Sequence, residues 1–109
     1  MGNNFLRIEN RATLESLLTD STSKPVIVFK HSTACSISSR AYREMEKLEG
    51  VNLLEIQSAR DLSRDLAALT GVRHESPQVI ILRNGKAVWN ASHFDVLADN
   101  VLQAVKTHS

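Results

Sequence analysis

A single thiol, Cys35, sits in the stretch HSTACSIS at residues 31–38, with the hydroxyl of Ser38 three positions on. Cysteine acts as a nucleophile through its thiolate, and exchange with a disulfide requires a second sulfur. One cysteine per chain rules out an internal disulfide and any multi-cysteine zinc or iron–sulfur cage supplied by one subunit. Redox work by Cys35 would therefore take its partner sulfur from another molecule. A free thiol with a pKa of about 8.5 is mostly protonated near neutrality, so something must favour the anion. A helix opening just after Cys35 would do this through its unpaired amides and positive dipole end. About 1.4 kcal/mol of such stabilisation lowers the pKa by about one unit. A lone cysteine is also commonly a small buried hydrophobe. Here the position between an apolar run and a helix favours the nucleophile.

Other polar side chains near the thiol have alternative roles. Lys30, His31 and Arg40 are close enough in sequence to supply positive potential or bind a carboxylate, while Arg40 can equally pair with Glu44 at i,i+4 on a solvated face. Ser38 can donate a hydrogen bond to a thiolate or serve as first-turn polarity. Histidines 31, 74, 93 and 108 are dispersed, and His31 with Cys35 lacks a second ligand pair, so no metal site is expected. Trp89 and Phe94 suggest a recognition surface, but Trp89 alternates with Ala87 and Ala91 and reads as core.

Positioning Cys35 requires a strand before it and a helix after it. PVIVFK (residues 25–30) is a short β-branched apolar run, read as a strand buried on both faces. Ile37, Ala41, Met45 and Leu48 then recur at helical spacing, with Gly50 as a left-handed stop. Residues 51–57 give a second strand, implying a parallel pair, and Ser58 is the expected cap of a helix with Leu62, Leu66 and Leu69 on one stripe and Gly71 at its end. Two further strands, 78–83 and 86–90, flank Asn84-Gly85, a strong hairpin signal. At the ends of the chain, Thr13 is expected to cap a short helix reaching Leu18. Ser92 to Asp95 resembles a capping box opening a helix with Phe94, Leu97, Val101 and Val105 inward. The order is α, βαβ, α, ββ, α.

The chain's 109 residues suit one domain, 1–109, and 42% apolar with 23% charged residues indicates a folded protein. A net charge of +1 without a basic block argues against nucleic acid. The opening MGNNFLRIEN has no long apolar segment, and no run approaches the ~20 residues of a membrane span, so a cytoplasmic location and no membrane partner are expected.

The order of elements, with Cys35 at the first strand-to-helix turn, resembles a thioredoxin fold. HSTACSIS together with HESPQVIILRNGKAVWNASHFDV resembles the monothiol bacilliredoxin family. That resemblance implies an α/β thioredoxin-like fold: a four-stranded mixed sheet flanked by helices, with an extra N-terminal helix. It also implies a thiol–disulfide oxidoreductase that removes bacillithiol from protein mixed disulfides. Cys35 would be the nucleophile and Ser38 would hold the resolving-cysteine position. Ser36, Ile37, Ser76 and Pro77 would face the substrate, with Pro77 in cis. The family usually has Pro directly after the cysteine, where this chain has Ser36. No tightly bound cofactor is implied. Bacillithiol, a low-molecular-weight thiol, would be the co-substrate, and bacillithiolated client proteins the partners. A monothiol iron–sulfur carrier is an alternative, although that family has Gly-Phe where this chain has Ser36-Ile37. A non-enzymatic binding module with a packed Cys35 is another.

Overall fold

The computed structural model describes residues 5–32 and 36–109, without the side chains of residues 36–38. Five strands form one sheet: β1 (Leu6–Arg7), β2 (Val26–His31), β3 (Val51–Glu55), β4 (Gln78–Arg83) and β5 (Lys86–Ser92). Their spatial order is β1-β3-β2-β4-β5, with β1, β3 and β2 parallel, β4 antiparallel to β2, and β5 antiparallel to β4. The helices are α1 (Arg11–Asp20), α2 (Ser36–Met45), α3 (Arg60–Thr70) and α4 (Ala98–Thr107), with 3-10 turns at Ile56–Ser58 and His93–Asp95. Among the described residues, no helix is long and apolar enough to cross a membrane.

The alternation of side chains along β2 divides the core into two layers. Val26 and Val28 pack with Leu14 of α1 and Leu62 and Leu66 of α3. Ile27 and Phe29 face the other way, onto Ala41 and Met45 of α2 and Val101 and Ala104 of α4. All six β2 residues are buried, as expected for a central strand with helices on both faces. The sheet has a fifth strand beyond the four expected. Leu6 and Arg7 pair with Asn52 and Leu53, a two-residue edge too short to leave a periodic pattern.

Local chemistry explains several shifted boundaries. The first helix is capped by Asn10, whose side chain accepts from the Thr13 amide at 2.8 Å, so Thr13 is inside the helix rather than its cap. Ser58 ends a 3-10 turn, and α3 starts from Ala59 without a side-chain cap. Leu69, expected on the buried stripe with Leu62 and Leu66, is 41% exposed. Asn84 and Gly85 take consecutive positive φ values of 57° and 74°, the pattern of a type I′ turn.

In β5 the register shifts so that Ile81 opposes Trp89 while Leu82 opposes Ala87. The bulge at Val88 breaks the shared face expected for Ala87 and Trp89. Trp89 packs partly buried against the α2/α4 layer, and Ala87 against the α1/α3 layer. The strand also runs on to Ser92, which is thereby used in the ladder opposite Gln78. The last helix therefore begins later than expected, at Ala98, and Phe94 is 61% exposed. Its first amide, on Ala98, donates to Glu44 Oε1 at 2.8 Å, so α2 supplies the acceptor expected from a local capping box.

Candidate active site

Because β2 and β3 are parallel and β4 is antiparallel to β2, one edge of the sheet gathers the ends of β2 and β3 and the start of β4. The described residues that flank Cys35 in the chain, Ser32 and Ser36, and the predicted Ser76 and Pro77 follow or precede strands at this edge. Helix α2 opens at Ser36, the residue after Cys35 in the chain. Cys35 itself lies outside the described residues, as do the side chains of Ser36, Ile37 and Ser38; the backbone of those three forms the first turn of α2. Ser76 and Pro77 lie across the edge, joined by a cis peptide bond, as the family resemblance implied. The last β2–β4 pair is Lys30 with Gln78, so Pro77 immediately precedes the ladder. Its carbonyl accepts from the His93 amide at 2.9 Å.

Lys30 and His31 are not surface cations. Lys30 is fully buried, and its Nζ donates to Gln78 Oε1 at 3.0 Å. Burial pushes its pKa down from the ordinary value of 10.5 to about 8, partly opposed by the attraction of Glu75. His31 is 6% exposed and its ring lies 4.9 Å from that of Tyr42 and 5.7 Å from that of Phe29. Desolvation lowers its pKa, against the pull of Glu55, which keeps it neutral near pH 7. Neither side chain is therefore placed to meet a carboxylate from solvent. Arg40 attracts the Glu44 carboxylate without a direct ion pair among the described residues; that carboxylate bonds to Lys47 at 2.8 Å and to the Ala98 amide.

Gln78 is the residue that sequence reasoning passed over. Its Oε1 accepts from Lys30 and from the Glu75 amide at 3.4 Å, and its Nε2 donates to the Arg73 carbonyl at 3.1 Å. One buried amide thus ties the end of β2 to the loop leading into Pro77. The available signal was parity: in a strand buried on both faces, position 30 follows Val26 and Val28 inward and needs a polar partner. On the other side, Gln57 Nε2 donates to Ser32 Oγ at 2.8 Å and links the chain leading to Cys35 with the turn after β3. His31 Nδ1 and Ser76 Oγ are buried without a hydrogen-bond partner among the described residues. Among the described residues, no group of three or more His, Cys, Asp or Glu side chains is placed to hold a metal.

The family model of the monothiol bacilliredoxin BrxC matches residues 6–101, nearly the whole chain. The chain belongs to the monothiol bacilliredoxin family. A solved structure provisionally described as an oxidoreductase with a thioredoxin fold is 34% identical to this bacilliredoxin, with a TM-score of 0.85 over 93% of each chain. Thioredoxins from Malassezia sympodialis (14% identity, 98% and 92% coverage, TM-score 0.76) and Halobacterium salinarum (15%, 99% and 95%, 0.73) share the fold. The bacilliredoxin thus has a thioredoxin-like fold with one thiol, and family and fold together support a thiol redox function.

Proposed function

We propose that this protein is a monothiol thiol–disulfide oxidoreductase that removes bacillithiol from protein mixed disulfides in the reducing cytoplasm. The Cys35 thiolate attacks the bacillithiol sulfur of the client disulfide. A bond forms between Cys35 and bacillithiol, the client sulfur leaves as a thiolate, and it takes a proton from solvent. Ser38 cannot resolve the new disulfide, so the thiolate of a second bacillithiol attacks its bacillithiol sulfur. This releases oxidised bacillithiol and restores Cys35. No bound cofactor is required.

The observation that carries this reading is the family match together with the start of α2 at Ser36. A ten-residue helix opening directly after the only cysteine offers its first-turn amides and dipole end to a thiolate. Ser38 in that turn is assigned as a hydrogen-bond donor to the thiolate. Ser36, Ile37, Ser76 and Pro77 are assigned to hold the disulfide, with the Ser76 main chain pairing to an extended client segment.

The test mixes reduced protein with one client in bacillithiolated and glutathionylated forms and follows intact mass and client thiol release. Cys35 should gain the mass of bacillithiol as the client is freed, faster than with glutathione, and Cys35→Ala should do neither. A client that stays blocked while Cys35 remains unmodified would sink the enzyme reading and leave a thioredoxin-like binding module.

A further inference from the structure

Beside the loop that leads into Ser76 and Pro77 lies a cleft of about 520 Å³ lined by Ile56, Arg60, Ser63, Arg64, Ala67 and His74. Its lining comes from the turn after β3, from α3 and from the loop before Pro77. Ile56 precedes Gln57, which holds Ser32 three residues before Cys35. His74, two residues before Ser76, is bonded through Nδ1 to the buried Ser63 hydroxyl at 3.1 Å. The lining is mainly apolar, with Ile56 and Ala67 among its residues, and arginine stems can add to such a surface.

Among the described residues no carboxylate lines this cleft, and two of the nearby acidic groups are engaged elsewhere. Asp65 pairs with Arg11 at 3.1 Å, and Glu75 bonds His93 at 3.0 Å. Asp61 meets Arg64 at 2.9 Å, but with the two side chains 93% and 79% exposed, that pair exchanges readily for another anion. His74 is kept neutral near pH 7, chiefly by desolvation and then by the charge of Lys30, so it offers a hydrogen bond rather than a charge. The standing charge of the lining is that of Arg60 and Arg64.

We propose that this cleft holds the carboxylate-bearing arm of the low-molecular-weight thiol, with Arg60 and Arg64 as its anion contacts. The inference rests on the bacilliredoxin reading above and adds to it the residues that select the thiol. Guanidinium forks match carboxylates in geometry and charge, and the apolar lining takes the carbon skeleton between sulfur and carboxylate. The volume suits a small molecule, which favours the thiol over an acidic segment of the client. With its arm anchored here, the thiol's sulfur is the one that Cys35 attacks, and the client is the leaving group.

The experiment uses one peptide with neutral flanking residues, carrying either bacillithiol or 2-mercaptoethanol in mixed disulfide, and full-length protein as wild type and R60Q/R64Q. Both arginines are exposed, so the variant should keep its fold, verified by its circular dichroism spectrum. The ratio of kcat/KM values, bacillithiol over 2-mercaptoethanol, should fall about tenfold, the equivalent of ~1.4 kcal/mol. The wild-type ratio should also decline with salt, because partly exposed charges are screened over about 8 Å at 0.15 M. An unchanged ratio with normal wild-type turnover would overturn the cleft assignment and leave the oxidoreductase reading standing. An equal fall on both disulfides would place the arginines' effect on Cys35 reactivity and also overturn it. The same two disulfides on a second peptide with acidic flanking residues complete the test: a fall seen only on that peptide would assign the cleft to the client instead and overturn the proposal. Wild-type protein that releases neither thiol would remove both proposals together.

Discussion

Replacing Lys30 with methionine should stabilise this protein near neutral pH, although it removes a buried hydrogen bond. Lys30 is fully buried, and its pKa falls from 10.5 to about 8, first through desolvation. At 1.36 kcal/mol per pH unit, this gap means that keeping the charged form in the fold costs about 3 kcal/mol below pH 8. Between about pH 8 and 10.5 the unfolded chain holds a proton that the native state has released, so wild-type stability rises with pH across that window. Methionine has an unbranched stem of similar reach and no charge to desolvate. Its penalty is the lost bond to Gln78 Oε1, about 1 kcal/mol, since that oxygen keeps the Glu75 amide. The expected net gain at pH 7 is about 2 kcal/mol. Urea unfolding of wild type and Lys30→Met at several pH values checks this. The advantage of the variant should shrink by about 3 kcal/mol as pH rises from 8 to 10.5. A variant less stable at pH 7, with a difference from wild type that stays flat across the window, would refute the claim that a buried charge is being carried.

Three further substitutions probe the frame around the site. Glu44→Gln should cost about 1 kcal/mol in thermal or urea unfolding, because its carboxylate bonds the first amide of α4. The Lys47 contact, then the Ala98 amide, holds the Glu44 carboxyl below the usual carboxylate range. Its stabilisation is therefore present above about pH 4.5 and fades as pH falls through the depressed value, bringing wild type and variant together in acid. Gly85→Ala should cost about 1 kcal/mol in the same assay: nothing lies within 4 Å of the added carbon, but φ of +74° strains any L side chain. Asn10→Ala should cost about 1 kcal/mol by removing the acceptor of the Thr13 amide, and fraying of α1 should appear as faster amide exchange at Thr13.

What could be read from the sequence was what local chemistry determines. Asn84-Gly85 fixes a turn because few residue pairs accept two consecutive positive φ values, and the apolar spacing from Ala41 to Leu48 fixes which face of α2 is buried. The misses depend on partners distant in sequence. Nothing near Ala98 announces that its amide will be met by Glu44, 54 positions earlier. Leu6 and Arg7 become a strand only because β3 leaves an open edge for them. At the candidate site, the cis bond between Ser76 and Pro77 was legible through the family motif. The role of Gln78 was not, because its importance lies in joining Lys30 to the Arg73–Glu75 loop, a relation set by the register of β2 against β4.

The distribution of buried polar groups connects stability to the site. Along β2 the residues Val26 to Phe29 are apolar and fully committed to the two core layers, and the strand then ends in Lys30 and His31 without becoming exposed. Gln78 opens β4 at the same edge, and two buried atoms that lack partners among the described residues, His31 Nδ1 and Ser76 Oγ, lie at that edge too. A chain selected for stability alone would end β2 with another aliphatic pair, since each of these groups costs desolvation energy that the elements behind them must offset. Perturbed and under-satisfied groups concentrate where a fold does chemistry, and here they surround the edge at which we place the exchange reaction. It follows that stability and reactivity should separate by location. Leu66→Ala or Val101→Ala, deep in either layer, should lower stability with little effect on thiol exchange per folded molecule. Changes at Lys30, His31 or Gln78 should alter exchange even where, as at Lys30, they make the protein harder to unfold.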